Sequence, residues 1–231
     1  MSPLLEVTNL SKNFSTINAL NNVSFNINSG EVVGLLGPNG SGKTTLIKII
    51  VGLINNYEGE VILLGDKINI ESKAKIAYLP DVNFITDSWS VNKCIGYFVD
   101  FFDDFDKHKA ISLLKDCNIS LDYKFKSLSK GTKEKLQLIL ILSRKAELYI
   151  FDEPIAGVDP VARDIIFNLI LENYSKDASI IISTHLIFSV QNILSSAIFL
   201  KYGEIIANDS IVNLKNRFNN DNLEEIFKEL F

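Results

Sequence analysis

The chain opens on short alternating segments. Leu4–Thr8 and Val23–Ile27 interleave apolar with polar positions and are separated by polar connectors, which predicts half-buried strands. The second is followed by the turn residues Asn28, Ser29 and Gly30. Val32–Leu36 has a different pattern: its continuous apolar run suits a strand buried on both faces. It leads into Gly37–Thr45 and then into LIKIIVGLI, whose apolar positions fit a helix starting near Lys43. Glu60–Leu64 and Lys75–Leu79 read as a strand pair around the turn Gly65–Asp66.

Residues 84–127 change character. Cys94, Tyr97, Phe98, Phe101, Phe102 and Phe105 recur at steps of three, one, three, one and three, which makes one face of a helix. A second helix covers Lys107–Cys117. The section reads as a helical insertion between two halves of a sheet domain. Beyond Leu128 the pattern predicts a helix over Gly131–Lys145, a buried strand Leu148–Phe151 and a helix opened by Pro160. Ser179–Ser183 and Ala197–Lys201 follow as strands, with a short one at Glu204–Asn208. The tail Asn213–Phe231 is polar with a helical rhythm at Leu223, Ile226, Phe227 and Leu230. No internal repeat or long linker divides the chain. The expectation is a single domain over 1–231, with a helical subdomain at about 84–145 and a short tail at about 209–231.

Composition narrows the classes. With 231 residues, 47% of them hydrophobic, the chain can build a substantial core, and disorder is excluded. Lys and Arg number 23 against 28 Asp and Glu, a net charge of −5, which argues against a nucleic-acid partner. Two cysteines, Cys94 and Cys117, make no disulfide framework and suit a reducing compartment. No apolar run approaches the roughly 20 residues of a membrane span. The first residues lack the basic and apolar regions of a signal peptide. A soluble, cytosolic protein is expected, with a stable partner accounting for part of the high mean hydropathy of +0.17. Gly and Pro number only 12 and 5, so their clusters mark special backbone.

The strongest such cluster is Gly37-Pro38-Asn39-Gly40-Ser41-Gly42-Lys43-Thr44, a full match to G-x-x-x-x-G-K-S/T. Glycines let successive N–H groups point at one anion, and the helix beginning near Lys43 adds its positive end. Lys43 can reach the β- and γ-phosphates of a nucleotide, the Thr44 hydroxyl can ligate Mg²⁺, and Thr45 adds a phosphate hydrogen bond. A plain Gly-rich turn before a helix is the alternative. About one unrelated chain of this size in a hundred matches by chance, but the predicted strand before and helix after supply the required context.

Leu148–Phe151 ends in Asp152 and Glu153, at the strand end where parallel sheets bind ligands. Asp152 suits a water-mediated hold on Mg²⁺, and Glu153 suits orienting and deprotonating an attacking water. His185 follows Ser179–Thr184 at another strand end, within reach of a γ-phosphate. His108 lies in the polar stretch DKHK and reads as a solvated surface residue.

Loop, acidic strand and histidine together resemble the ATP-binding subunit of ABC transporters, over nearly the whole chain. Phe14 matches the aromatic residue that stacks on adenine in that family. Leu128-Ser129-Lys130-Gly131-Thr132 stands at its LSGGQ signature, Ala156-Gly157-Val158-Asp159 at its D-loop, and Ser183-Thr184-His185 at its switch histidine. The resemblance implies an α/β fold: a P-loop NTPase core with a mixed sheet, an N-terminal antiparallel β-subdomain and a helical insertion. It implies an ATPase using ATP and Mg²⁺, with Ser129, Gly131 and Asp159 joining the nucleotide site and Glu153, His185 and Lys43 as the catalytic set. It further implies ATP sealed between two protomers, as a homodimer or a pseudo-symmetric heterodimer. The implied partner is a separately encoded integral-membrane permease, which would hold the protein at the cytoplasmic face of the membrane.

Three residues depart from the pattern, one of them Thr132, which stands at the signature's glutamine. Lys130 replaces a glycine, as in a subgroup serving small bacterial exporters of drugs, peptides or lipids. Asp81, in YLPDVNF, stands where the Q-loop has glutamine, and as a carboxylate it could approach the metal. A soluble ABC ATPase such as a cluster-assembly factor, or a weakly hydrolysing scaffold, stays open. The aromatic stretch has two readings: core of the helical section, or, for Phe84 and Trp89, part of a groove receiving a helix of a membrane partner.

Overall fold

Alternating and continuous strands go to different sheets in the computed structural model, which describes residues 2–155, 160–175 and 177–231. The alternating strands β1 (Leu5–Phe14) and β2 (Ile17–Ile27) pair antiparallel. On the other side of β1 lies β4 (Glu58–Leu63), followed by the two-residue β5 (Asp66–Lys67). The sheet order is β2-β1-β4-β5. Leu5, Val7, Leu10, Leu20 and Val23 are buried in one cluster with Leu46 and Ile47 of α1 (Lys43–Ile50). Alternation therefore reports a sheet covered on one face only.

The continuous runs build a second sheet. β3 (Val32–Leu36) lies between β8 (Ser179–Thr184) and β9 (Ser196–Lys201), and β7 (Leu148–Asp152) joins β8 to the edge strand β6 (Ile76–Leu79). All these pairs are parallel, and only β10 (Glu204–Ser210) runs antiparallel, beside β9. Every residue of β3, β7 and β8 is buried. Alternate residues divide between two cores. Val33, Leu35, Ile150 and Ile181 face α1 and the antiparallel sheet. Leu36, Phe151, Ile180 and Ile182 face Leu136, Leu140 and Ile170, which belong to α5 (Lys130–Leu142) and α6 (Pro160–Asn173). The predicted mixed α/β architecture holds.

Several sequence expectations are corrected. Glu60–Leu64 and Lys75–Leu79 do not pair. The turn at Gly65 is real, but its returning strand is only β5, and α2 (Ile70–Ala74) then carries the chain across to β6 in the other sheet. Asn69 makes that crossing possible by capping α2: its Oδ1 accepts from Ser72 N at 2.8 Å, and Ser72 Oγ accepts from Asn69 N at 2.8 Å. The six-residue aromatic face also breaks. α3 (Val91–Phe101) ends before Phe102, which is extended, and Phe105 bridges Arg144 instead. Both rings still pack on buried Phe98, with centroids 5.2 and 5.3 Å away, because the chain folds back to cap α4 (Lys107–Asp116) with Asp106. β1 and β2 extend well beyond the predicted segments. The tail forms two helices, α8 (Ile211–Phe218) and α9 (Leu223–Leu230), after a single turn α7 (Ile187–Val190).

Two cations pin the helices beyond β6. Lys109 Nζ donates to Leu142 O at 2.6 Å and also to Asn173 O, so one ammonium closes the C-terminal ends of α5 and α6. Arg144 is 4% exposed. Its Nη1 donates to Ile76 O at 2.6 Å, its Nη2 to Ala74 O at 2.5 Å, and its Nε to Asp104 Oδ1 at 2.9 Å. Its guanidinium lies 4.1 Å from the centre of the Phe102 ring. His108 is exposed, as expected.

Candidate functional site

The loop between β3 and α1 is shaped by close approach. Gly42, the residue before α1, has a φ of 109°, and a Cβ there would lie 2.6 Å from Ala19 O. Gly42→Ala is expected to cost about 2 kcal/mol, from left-handed strain plus the clash, read as a lower midpoint in denaturant unfolding. Lys43 folds back over the loop: its Nζ donates to Gly37 O at 2.8 Å and Pro38 O at 3.1 Å, and lies 3.5 Å from Glu153 Oε1. Burial pushes its ammonium below the usual lysine range, and the Glu153 charge opposes that.

β7 delivers Asp152, fully buried, and Glu153 just past the strand end in a left-handed conformation, φ 49°. Ser183 of β8 holds both. Its Oγ donates to Asp152 Oδ1, while Glu153 N donates to Ser183 O and Ser183 Oγ, each at 3.1 Å. Sequence reasoning saw Ser183 only as part of a three-residue match. The available signal was register, since Ser183 is the direct neighbour of Asp152 across the sheet. His185 Nδ1 lies 3.0 and 3.1 Å from the two carboxylate oxygens of Glu153. Lys43, Glu153 and His185 thus form one connected chain of polar groups.

An open cleft of about 530 Å³ brings the predicted residues together: Phe14, Asn39, Gly40, Ser41, Gly42, Lys43, Thr44, Thr45, Asp81 and Glu153 line it, with Ile17, Asn18, Ala19 and Tyr202. Phe14 is exposed there, with Lys12 Nζ 4.8 Å from its ring centre. A second cleft of about 570 Å³ shares Asp81 and Glu153 with the first and is walled by Lys130, Lys133, Glu134 and Gln137. Gln137, 4% exposed, accepts from Phe84 N at 3.0 Å and donates to Asn83 Oδ1 at 2.8 Å, fixing the segment after Asp81 to α5. Ser129 and Gly131 line neither cleft. Ser129 Oγ caps α5 by accepting from Thr132 N at 3.3 Å. The D-loop segment, with Asp159, lies outside the described residues. Phe84 is 39% exposed and Trp89 packs at 5.1 Å on Tyr97, whereas Phe98 is buried, so the aromatic stretch divides between core and surface.

The donor set fits a divalent cation brought by a phosphate ligand. Asp152 Oδ2 is buried without a hydrogen-bond partner among the described residues. Burial raises the Asp152 carboxyl above its usual range, the Ser183 and Thr44 hydroxyls oppose that, and the charges of Asp81 and Glu153 add to it. A cation beside Oδ2 would remove that penalty. Among the described residues no group of three or more His, Cys, Asp or Glu is placed to hold a metal ion.

A strand, a glycine loop and a helix, with two acids at the end of the strand two places along the sheet, define a P-loop nucleotide-binding protein. The family model described as ABC transporter matches residues 20–156. An uncharacterized ABC transporter ATP-binding protein of Methanocaldococcus jannaschii is 32% identical over 89% of this chain and 77% of its own length. The lipopolysaccharide export system ATP-binding protein of Haemophilus influenzae is 29% identical over 88% and 89%. The solved structure of an ATP-binding subunit of an ABC transporter, 27% identical, superposes with a TM-score of 0.89 over 98% of this chain and 99% of that one. The chain belongs to the ABC transporter family, as an ATP-binding subunit. No helix among the described residues is long and apolar enough to cross a membrane.

Proposed function

We propose that this subunit binds MgATP, dimerises on it and hydrolyses it to drive a separately encoded membrane permease, working at the cytoplasmic face of the membrane in export. The observation that carries the reading is the polar chain Lys43–Glu153–His185 at the phosphate loop. Phe14 contacts adenine, and the N–H groups of Gly37–Thr45 with the Lys43 ammonium cradle the phosphates. Thr44 and Asp152 would hold Mg²⁺, with Asp81 nearby; the ion, when bound, supplies neutralisation of phosphate charge. Glu153 takes the proton of the attacking water, and His185 holds its carboxylate and meets the γ-phosphate. Ser129 and Gly131, away from this subunit's own cleft, serve the nucleotide of the second protomer, and Asp159 joins them there. Phe84 belongs to the surface that meets the permease. Export rests on the Lys130 signature and on the similarity to a lipopolysaccharide export system ATP-binding protein.

Lys43→Ala tests the nucleotide assignment. Loss of a buried cation that donates to phosphate is expected to weaken ATP binding about tenfold or more. Unchanged affinity in a calorimetric titration would reject it.

A further inference from the structure

β9 and β10 are joined by a two-residue turn, Tyr202–Gly203, across which Lys201 pairs with Glu204. Both turn residues have left-handed φ, 50° and 81°. That hairpin geometry favours Asn or Gly at its first position, and a tyrosine pays a conformational penalty there. The turn is tied down on two sides. Gly203 N donates to Ser41 O of the phosphate loop at 2.9 Å, and Gly203 O accepts from Asn21 N at 2.8 Å. Asn21 Nδ2 also donates to Glu204 Oε1 at 2.5 Å. The Tyr202 backbone is thereby fixed relative to the phosphate loop. Its ring nevertheless stays 81% exposed while lining the same cleft as Phe14, Ile17 and Asn18.

An exposed tyrosine alone is ordinary. This one is held in a disfavoured backbone state, on a turn bonded to the phosphate loop, at the wall of a ligand cleft. The loop end of that cleft is lined by Asn39–Thr45 with Asp81 and Glu153. The rest of the lining is Phe14, Ile17, Asn18, Ala19 and Tyr202, which suits a flat heterocycle with apolar faces. We propose that Tyr202, on the turn bonded to the phosphate loop, is a second aromatic contact of the nucleotide base in the cleft that Phe14 also lines. The proposal rests on the reading of this cleft as the ATP site. The ring adds base recognition without touching the phosphates.

The full chain is titrated with MgATP and, separately, with inorganic tripolyphosphate and Mg²⁺. Tyr202→Asn removes the ring while suiting the left-handed turn, so the fold is retained. It is expected to weaken ATP about three- to tenfold, the scale of one aromatic contact, and to leave tripolyphosphate unchanged. Tyr202→Phe is expected to bind ATP like the wild type. Undiminished ATP affinity in Tyr202→Asn, or equal loss for both ligands, would overturn the proposal. Wild-type protein that binds neither ligand would instead overturn the nucleotide reading on which it stands.

Discussion

Glu153→Gln is expected to bind MgATP close to normally and to turn it over at least a hundredfold more slowly, the scale of losing a general base. The carboxamide keeps the size of the side chain and can still accept from His185, so the cleft keeps its shape. It cannot accept a proton from water at neutral pH. The backbone N–H of Glu153 also remains bonded to Ser183, which holds the residue in place whatever its side chain. The two readouts therefore separate: ATP titration should be nearly unmoved while steady-state phosphate release collapses. Near wild-type release would rule out Glu153 as the base. A parallel loss of affinity would point to the ion pair with Lys43 as its main role.

Arg144→Ala should be the most destabilising of the changes considered. The guanidinium satisfies two backbone carbonyls beside β6 and forms a two-pronged pair with Asp104, whose second oxygen accepts from Nη2 at 3.1 Å. Removal strands buried Ile76 O, unpairs Asp104 and deletes the contact with Phe102. Asp104 is 26% exposed, so water recovers part of the loss. The expected cost is about 3 kcal/mol, or roughly 6–12 °C in thermal midpoint for a chain of this size. Arg144→Lys should recover little, because one ammonium cannot replace the planar fork. A midpoint within a degree or two of wild type would show that the network contributes nothing net.

The cleft at the glycine loop was legible because its chemistry is local. Gly37–Thr45 and Asp152–Glu153 each lie within a few residues of sequence, and strict strand or helix periods flank them. His185 was read from its place at a strand end and Phe14 from the family resemblance; the cleft gathers Phe14 with the loop, and His185 reaches it through Glu153. What escaped is long-range. Ser183 matters through its register with Asp152, Tyr202 through a hairpin bonded to Ser41, and Gln137 through a buried amide far from the segment it holds. The pairing error at Glu60–Leu64 has the same origin. A turn signal shows that the chain reverses; it does not show which sheet the following strand joins. The aromatic periodicity overran α3 because Phe102 and Phe105 are brought back to Phe98 by a loop, and contact alone mimics a helical face.

The position of β3 sets an order of events during synthesis. Its two neighbours in the sheet are β8 and β9, so the strand that leads into the phosphate loop does not have its full pair of hydrogen-bonding partners until Ser196 and its successors have emerged. At about 5–20 residues per second, that is on the order of ten seconds after the loop itself is made. Until Ser179–Thr184 emerge the apolar run Val32–Leu36 has no ladder partner, and a nascent chain stopped before β8 should leave that strand unpaired on both sides. The strand that carries the loop is completed late, when the last parallel strand of the sheet pairs beside it.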